Sequence, residues 1–91
     1  MTAAAEIAAR AAELVAGERA KQHGDIAEGF ARTARLWSAY LGVTVTDVDA
    51  AHMLALLKIG RAQGGALNED DWVDGAGYLA CAAQIATGRA A

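Results

Sequence analysis

The sequence has no proline, a single cysteine and few aromatic residues. Because proline is the residue that most strongly interrupts a helix, its absence favours helix along most of the chain. Cys81 cannot form an internal disulfide, and the first residues lack a basic, leucine-rich leader, so a cytoplasmic location is predicted. The longest strongly apolar run, residues 53–57, is far shorter than the roughly 20 residues needed to cross a bilayer.

An excess of positive charge is also missing, since the formal net charge is −3. This balance predicts no binding to duplex nucleic acid or to an anionic membrane. The 91 residues predict one domain, 1–91, with a modest core, and such a small domain is expected to form a homo-oligomer. Its few aromatic residues are the predicted core anchors: Phe30, Trp37, Tyr40, Trp72 and Tyr78.

Abundant Ala, Leu, Glu and Arg, punctuated by glycine, predict an all-α fold of four helices. Their expected ranges are about 3–22, 26–41, 47–63 and 69–87. Asp25, Thr46 and Asn68 precede the last three ranges and are the predicted N-caps. Short connections favour a compact bundle-like arrangement with antiparallel neighbours, and the third helix, apolar on nearly every side, is predicted to be central.

The third and fourth helices carry a set of polar residues of which helix capping explains only Asp71. Lys58 and Arg61 lie three residues apart in an apolar helix, and Asp71, Asp74 and Tyr78 share a face of the next one. In one interpretation these groups pair as ions between the helices. In the other, Lys58 and Arg61 bind phosphate oxygens, with Tyr78 at the same site, while Asp71 and Asp74 hold Mg²⁺ or sugar hydroxyls.

A second candidate is the stretch GERAKQHGD, residues 17–25. Arg19, Lys21 and His23 fall at the end of the first predicted helix, where the helix dipole favours cations. The free N–H groups at the start of the second helix also make this corner a candidate phosphate cradle.

Several of these residues together resemble a family of small phage and prophage proteins over about residues 10–86. The shared pattern is Glu18-Arg19-x-x-x-His23-Gly24-Asp25, Ala34-x-Leu36-Trp37, Met53-x-x-Leu56-Leu57-Lys58-Ile59-x-Arg61 and Asp71-Trp72-x-Asp74-x-Ala76-Gly77-Tyr78. More distantly, the layout is similar to MazG-like all-α nucleoside triphosphate pyrophosphohydrolases. Members of that family bind magnesium through paired acidic motifs, and Asp71-x-x-Asp74 is similar to the second of these.

The first acidic motif is absent, because Lys58-x-x-Arg61 stands where an acidic pair is expected. The resemblance therefore implies a protein that binds a phosphorylated nucleotide with an incomplete metal site. An active magnesium-dependent pyrophosphohydrolase with a rearranged site is a second hypothesis. A non-enzymatic structural or protein-interaction module, in which the charges serve as caps and ion pairs, is the third.

Overall fold

The computed structural model describes residues 3–17 and 25–88. In this part of the chain there are four helices and no strand: α1 (Ala4–Ala16), α2 (Ile26–Leu41), α3 (Asp47–Ala62) and α4 (Glu69–Thr87). None of these helices is long and apolar enough to span a bilayer. The all-α prediction is confirmed by this architecture.

The helices begin at side chains that accept hydrogen bonds from free backbone N–H groups. Asp25 accepts from Glu28 N, and Asn68 accepts from Asp70 N. Thr46 and Asp49 form a reciprocal capping box at the start of α3. The three predicted N-caps are therefore confirmed.

Glycine determines where α1 ends. A Cβ at Gly17 would lie 2.6 Å from the Glu13 carbonyl oxygen, closer than carbon and oxygen can approach without displacement. The backbone of Gly17 leaves the helical region, so α1 stops at Ala16. The remainder of the first predicted helix, residues 18–22, lies outside the described residues.

The hairpin between α2 and α3 is fixed by one serine. Ser38 Oγ donates to the Val45 carbonyl at 3.1 Å and accepts from Val45 N at 2.8 Å. Gly42 turns the chain with a positive φ of 74°. Together these contacts hold α3 against α2.

The fourth helix, and not the third, is central. Among the described residues, α4 contacts α1, α2 and α3, whereas α3 contacts only α2 and α4. The prediction of a central third helix is wrong, because Met53, Leu56 and Leu57 on α3 face solvent. A helix with apolar residues on nearly every side can be buried all round, or it can bury one apolar face and expose another, and the helical wheel does not distinguish the two cases.

The order in which successive residues of two helices touch each other shows whether the helices run parallel or antiparallel. Arg10 bonds Glu69 and Asp70, and Val15 packs on Gly77, so α1 runs parallel to α4. Lys58 bonds Asp74 and Arg61 approaches Asp71, so α3 runs antiparallel to α4. In the described ranges α1 and α2 both pack on α4 but not on each other, and this separation creates a cleft.

Small residues fill the core, whose buried hydrophobic members are Ala11, Ala34, Ala50, Ala51, Ala55, Val73, Cys81 and Ala82. Two of the five predicted aromatic anchors are not core residues: Tyr40 is 90% exposed and Trp72 is 52% exposed. Phe30, Trp37 and Tyr78 are partly buried. Alanine allows close helix contact, which leaves no space for the larger aromatic rings between α3 and α4.

Candidate functional site

Two ion pairs join α3 to α4. Lys58 Nζ lies 3.0 Å from Asp74 Oδ2, with the two side chains only 15% and 13% exposed. Arg61 Nε lies 3.6 Å from Asp71 Oδ1, with the aspartate buried and the arginine 58% exposed. The i, i+3 spacing on two antiparallel helices brings both pairs into register.

Close packing supports this register. A Cβ at Gly75 would lie 3.6 Å from the Lys58 Cβ, an ordinary contact distance. A larger side chain at position 75 would force α3 away from α4. Gly75 therefore sits at the α3 interface, as Gly77 sits at the α1 interface opposite Val15.

The pairing weakens the case for a magnesium site at Asp71 and Asp74. Magnesium requires several hard oxygen ligands in near-octahedral geometry, and each of these carboxylates already faces a cation. Among residues 3–17 and 25–88 no group of three or more His, Cys, Asp or Glu side chains is arranged to hold a metal ion. The described donors do not fit magnesium, and no chemistry is derived through it.

A cleft of about 380 Å³ opens between α1, α2 and α4. Its apolar lining comes from all four helices: Leu14, Val15, Ile26, Phe30, Leu54, Val73 and Cys81. Gly29 and Gly77 add width, because neither fills the cleft with a side chain. Pockets of roughly 300–1,000 Å³ with apolar walls and a few polar groups are typical small-molecule sites.

The polar lining is concentrated on α2 and α4. It consists of Asp25, Arg32, Thr33, Asp74 and Tyr78. The Tyr78 ring meets the Phe30 ring edge to face, with centroids 6.4 Å apart and planes at 88°. The cleft thus combines an aromatic wall with hydrogen-bond acceptors and one cationic side chain.

Cys81 in the cleft lining is a buried free thiol. Burial raises the pKa of the Cys81 thiol above its usual value, because the apolar surroundings disfavour the charged thiolate. A thiolate nucleophile is therefore disfavoured at neutral pH.

The predicted site residues divide into three groups. Asp74 and Tyr78 line the cleft, and Lys58 reaches it only through its ion pair with Asp74. Arg61 and Asp71 form the second pair and are not part of the cleft lining. Arg19, Lys21 and His23 lie outside the described residues.

Sequence reasoning missed the contribution of α2. Arg32 and Thr33 are not among the predicted site residues. Asp25 is predicted as a cap at the end of the GERAKQHGD stretch, and it both caps α2 and lines the cleft. The available signal was the i, i+4 spacing of Gly29 and Thr33, which puts a gap and a hydroxyl on one helix face. The more apolar stripe through Phe30 and Trp37 obscured that face.

The sequence of this chain is similar to a protein family and to two phage proteins. A sequence model of the family described as "Domain of unknown function (DUF6378)" matches residues 6–86. The "Gene 55 protein" of Mycobacterium phage D29 is 39% identical over 75 residues, which are 82% of this chain and 50% of that protein. The "Gene 55 protein" of Mycobacterium phage L5 is 45% identical over 69 residues, which are 75% of this chain and 44% of that protein.

The chain therefore spans about half the length of the curated relatives it matches. No solved structure matches it. The relatives support the resemblance to a phage protein family, and their names describe no activity.

Proposed function

Because this chain belongs to the phage-associated family described as a domain of unknown function (DUF6378), its function must come from its own site, and we propose that the cleft binds a phosphorylated nucleotide without hydrolysing it. The observation that carries this proposal is one cavity of about 380 Å³ with an aromatic wall, two carboxylates and an arginine. Each of these groups matches a different part of a nucleotide.

The base occupies the apolar part of the cleft against Phe30 and Tyr78. Aromatic side chains bind nucleobases by stacking and by edge contacts, and the contribution is about 1–3 kcal/mol per base. Most of the other residues that line the cleft are apolar, which favours a flat, weakly polar group.

The sugar hydroxyls donate to the carboxylates of Asp25 and Asp74. An acidic side chain is a common acceptor for ribose hydroxyls in nucleotide sites. Lys58 orients Asp74 through the 3.0 Å contact between Lys58 Nζ and Asp74 Oδ2. In this proposal Lys58 is a positioning residue, and it does not touch the phosphate.

The phosphate lies at Arg32, an exposed side chain on the cleft lining. A guanidinium presents a planar fork of donors that suits phosphate oxygens. The carboxylates disfavour a phosphate deeper in the cleft, since like charges repel. This arrangement orients the nucleotide with its base inside and its phosphate at the rim.

Binding without turnover is proposed because the described carboxylates do not supply a magnesium site. The active pyrophosphohydrolase hypothesis needs such a site and is not adopted. The structural-module hypothesis explains the ion pairs equally well but gives no role to the cleft.

Calorimetric titration with the ribo- and deoxyribonucleoside 5′-monophosphates and triphosphates, with pyrophosphate release assayed in parallel, tests the proposal. Gly29→Leu places a large side chain in the cleft, and a Cβ at Gly29 meets nothing within 4 Å, so the side chain can start there without a clash; circular dichroism checks that the variant is folded. We expect this variant to abolish binding. Ala27→Leu, exposed about 160° away on α2, is the matched control and retains it.

Arg32→Gln separates phosphate binding from base binding. We expect it to weaken nucleotide binding about tenfold or more while leaving affinity for the parent nucleoside unchanged. Failure of every nucleotide to bind, or equal binding by wild type and Gly29→Leu, would contradict the proposal. Magnesium-dependent release of pyrophosphate would instead establish the hydrolase.

A further inference from the structure

In an ordinary amphipathic helix the large apolar residues are buried. In α3 the buried positions hold small residues instead. Its buried positions are the small residues Ala50, Ala51 and Ala55, all 2% exposed or less. Four of its large apolar residues are exposed, with Met53 40%, Leu56 62%, Leu57 53% and Ile59 46% exposed, whereas Leu54 is partly buried and lines the cleft. Exposed leucines at helical spacing form a continuous apolar stripe, and such a stripe is typical of an interaction surface.

The exposed stripe consists of Met53, Leu56, Leu57 and Gly60, which we call the α3 outer face. Its spacing of i, i+3, i+4 and i+7 keeps these residues within about 100° of helix arc. A Cβ at Gly60 would meet nothing within 4 Å. Gly60 is thus a gap in the stripe that no other part of the described fold fills.

The α3 outer face is complementary in shape to itself. If two copies of α3 cross antiparallel about the midpoint between Leu56 and Leu57, Met53 of each copy lies opposite Gly60 of the other. The same register places Leu56 opposite Leu57. A flexible methionine then enters the gap left by glycine at both ends, as side chains of one helix fill the spaces of another.

Charge favours the same orientation. The first turn of α3 carries Asp47 and Asp49, and its last turn carries Arg61, which is 58% exposed. An antiparallel pair brings each acidic turn beside the partner's basic turn and opposes the two helix dipoles. A parallel pair would bring acidic turns together, which disfavours it.

We propose that a second copy of this chain docks on the α3 outer face, giving a two-fold dimer in which α3 packs antiparallel on α3. Both required surfaces are present on one helix, as a two-fold interface demands. None of the four residues of the α3 outer face lies in the lining of the cleft, so the proposed dimer contact and the cleft use different side chains. A single helix pair buries less than the about 800 Å² per partner of a standard interface, so the dimer is expected to dissociate on dilution.

Analytical ultracentrifugation of the full chain over a wide concentration range tests this proposal, with circular dichroism confirming that each variant is folded. We expect wild type to pass from monomer to dimer. Leu56→Glu should shift this transition to much higher concentration. Leu36→Glu, at a position 66% exposed on α2, is the matched control and should leave it unchanged.

Gly60→Leu tests the proposed register. If Met53 occupies the gap at Gly60, the added side chain overpacks the interface and raises the dimer dissociation constant about tenfold. Met53→Ala combined with Gly60→Leu exchanges the large and small positions and should restore association. Ala39→Leu adds an exposed leucine on α2 and is the control for nonspecific association through exposed apolar side chains.

Three results would overturn the proposal. If wild type stays monomeric at every concentration, a second copy does not bind the α3 outer face. Stronger association of Gly60→Leu indicates unspecific apolar contact. Failure of the double variant to recover excludes this register.

Discussion

At some positions of this chain, a residue affects stability through the backbone conformation that it allows. Gly29 and Gly42 illustrate two opposite cases. Gly29 lies inside α2 with helical geometry and open space beside it, whereas Gly42 ends α2 with a φ of 74°. A side chain has room at both positions, so any difference between them reflects conformation alone.

Replacing these two glycines by alanine should therefore change stability in opposite directions. Gly29→Ala should raise the free energy of unfolding by about 0.5–1 kcal/mol, because alanine restricts the unfolded chain and favours helix. Gly42→Ala should lower it by about 1 kcal/mol, because alanine disfavours positive φ. Urea denaturation followed by circular dichroism measures both, and a same-sign result would contradict this assignment.

At the scale of elements, capping determines where helices start. The capping box of Thr46 and Asp49 supplies two hydrogen bonds of 3.0 Å at the start of α3. The carboxylate of Asp49 accepts from the Thr46 backbone N–H, and this bond, followed by the interaction with the Thr46 side chain, lowers the pKa of Asp49 below its usual value of 3.8. The ionised carboxylate is therefore the form that stabilises the helix.

This capping predicts an acid-dependent loss of stability. A carboxylate with a lowered pKa in the folded state stabilises the fold above its unfolded-state pKa. That contribution should decline as pH falls below about 4, through the still lower folded-state pKa. Thermal melts between neutral pH and acid should show less of this decline for Asp49→Asn, which does not titrate. An unchanged acid dependence in this variant would contradict the prediction.

At the same scale, the two kinds of ion pair in this fold should differ in strength. The Lys58–Asp74 pair is mostly buried, whereas Arg10 and its partners Glu69 and Asp70 are 41–69% exposed. Removing one member of a buried pair leaves a desolvated charge without that counterion, and exposed pairs contribute little. The buried pair is therefore expected to contribute to the packing of α3 on α4, whereas the exposed pairs are expected to contribute little to stability.

Lys58→Met should accordingly lower the free energy of unfolding by about 3 kcal/mol. Arg10→Met should lower it by less than about 1 kcal/mol. Lys58→Met combined with Asp74→Leu should recover most of the loss, since both charges are then gone. Denaturant melts of the three variants measure this. Equal losses for Lys58→Met and Arg10→Met would contradict a structural role for the α3–α4 pair.

At the scale of the whole molecule, the arrangement depends on α4. Because α1 and α2 both contact α4 but, in the described ranges, not each other, a cleft remains between them, and the two ion pairs lie between α3 and α4. The core is small and built from alanine, so large apolar side chains remain outside. The cleft and the exposed apolar face of α3, the two surfaces for which we propose functions, both follow from this packing.

The sequence by itself determined the local structure. Helix propensity, glycine and the capping residues Asp25, Thr46 and Asn68 predict four helices, because these signals act over a few residues and need no distant partner. The spacing of Lys58, Arg61, Asp71 and Asp74 also identified the charged residues that meet in the fold, since i, i+3 positions share a helix face.

Only the tertiary structure decided which faces meet. Nothing within α3 distinguishes its alanine face from its leucine face as the buried one, so the central helix was predicted wrongly. Arg32 and Thr33 became candidate ligand contacts only when α2 and α4 were brought together around one cavity. The physical reason is that burial depends on the partner surface as well as on the sequence of a helix, and close packing of α3 on α4 requires alanine and glycine where a hydrophobicity pattern favours leucine.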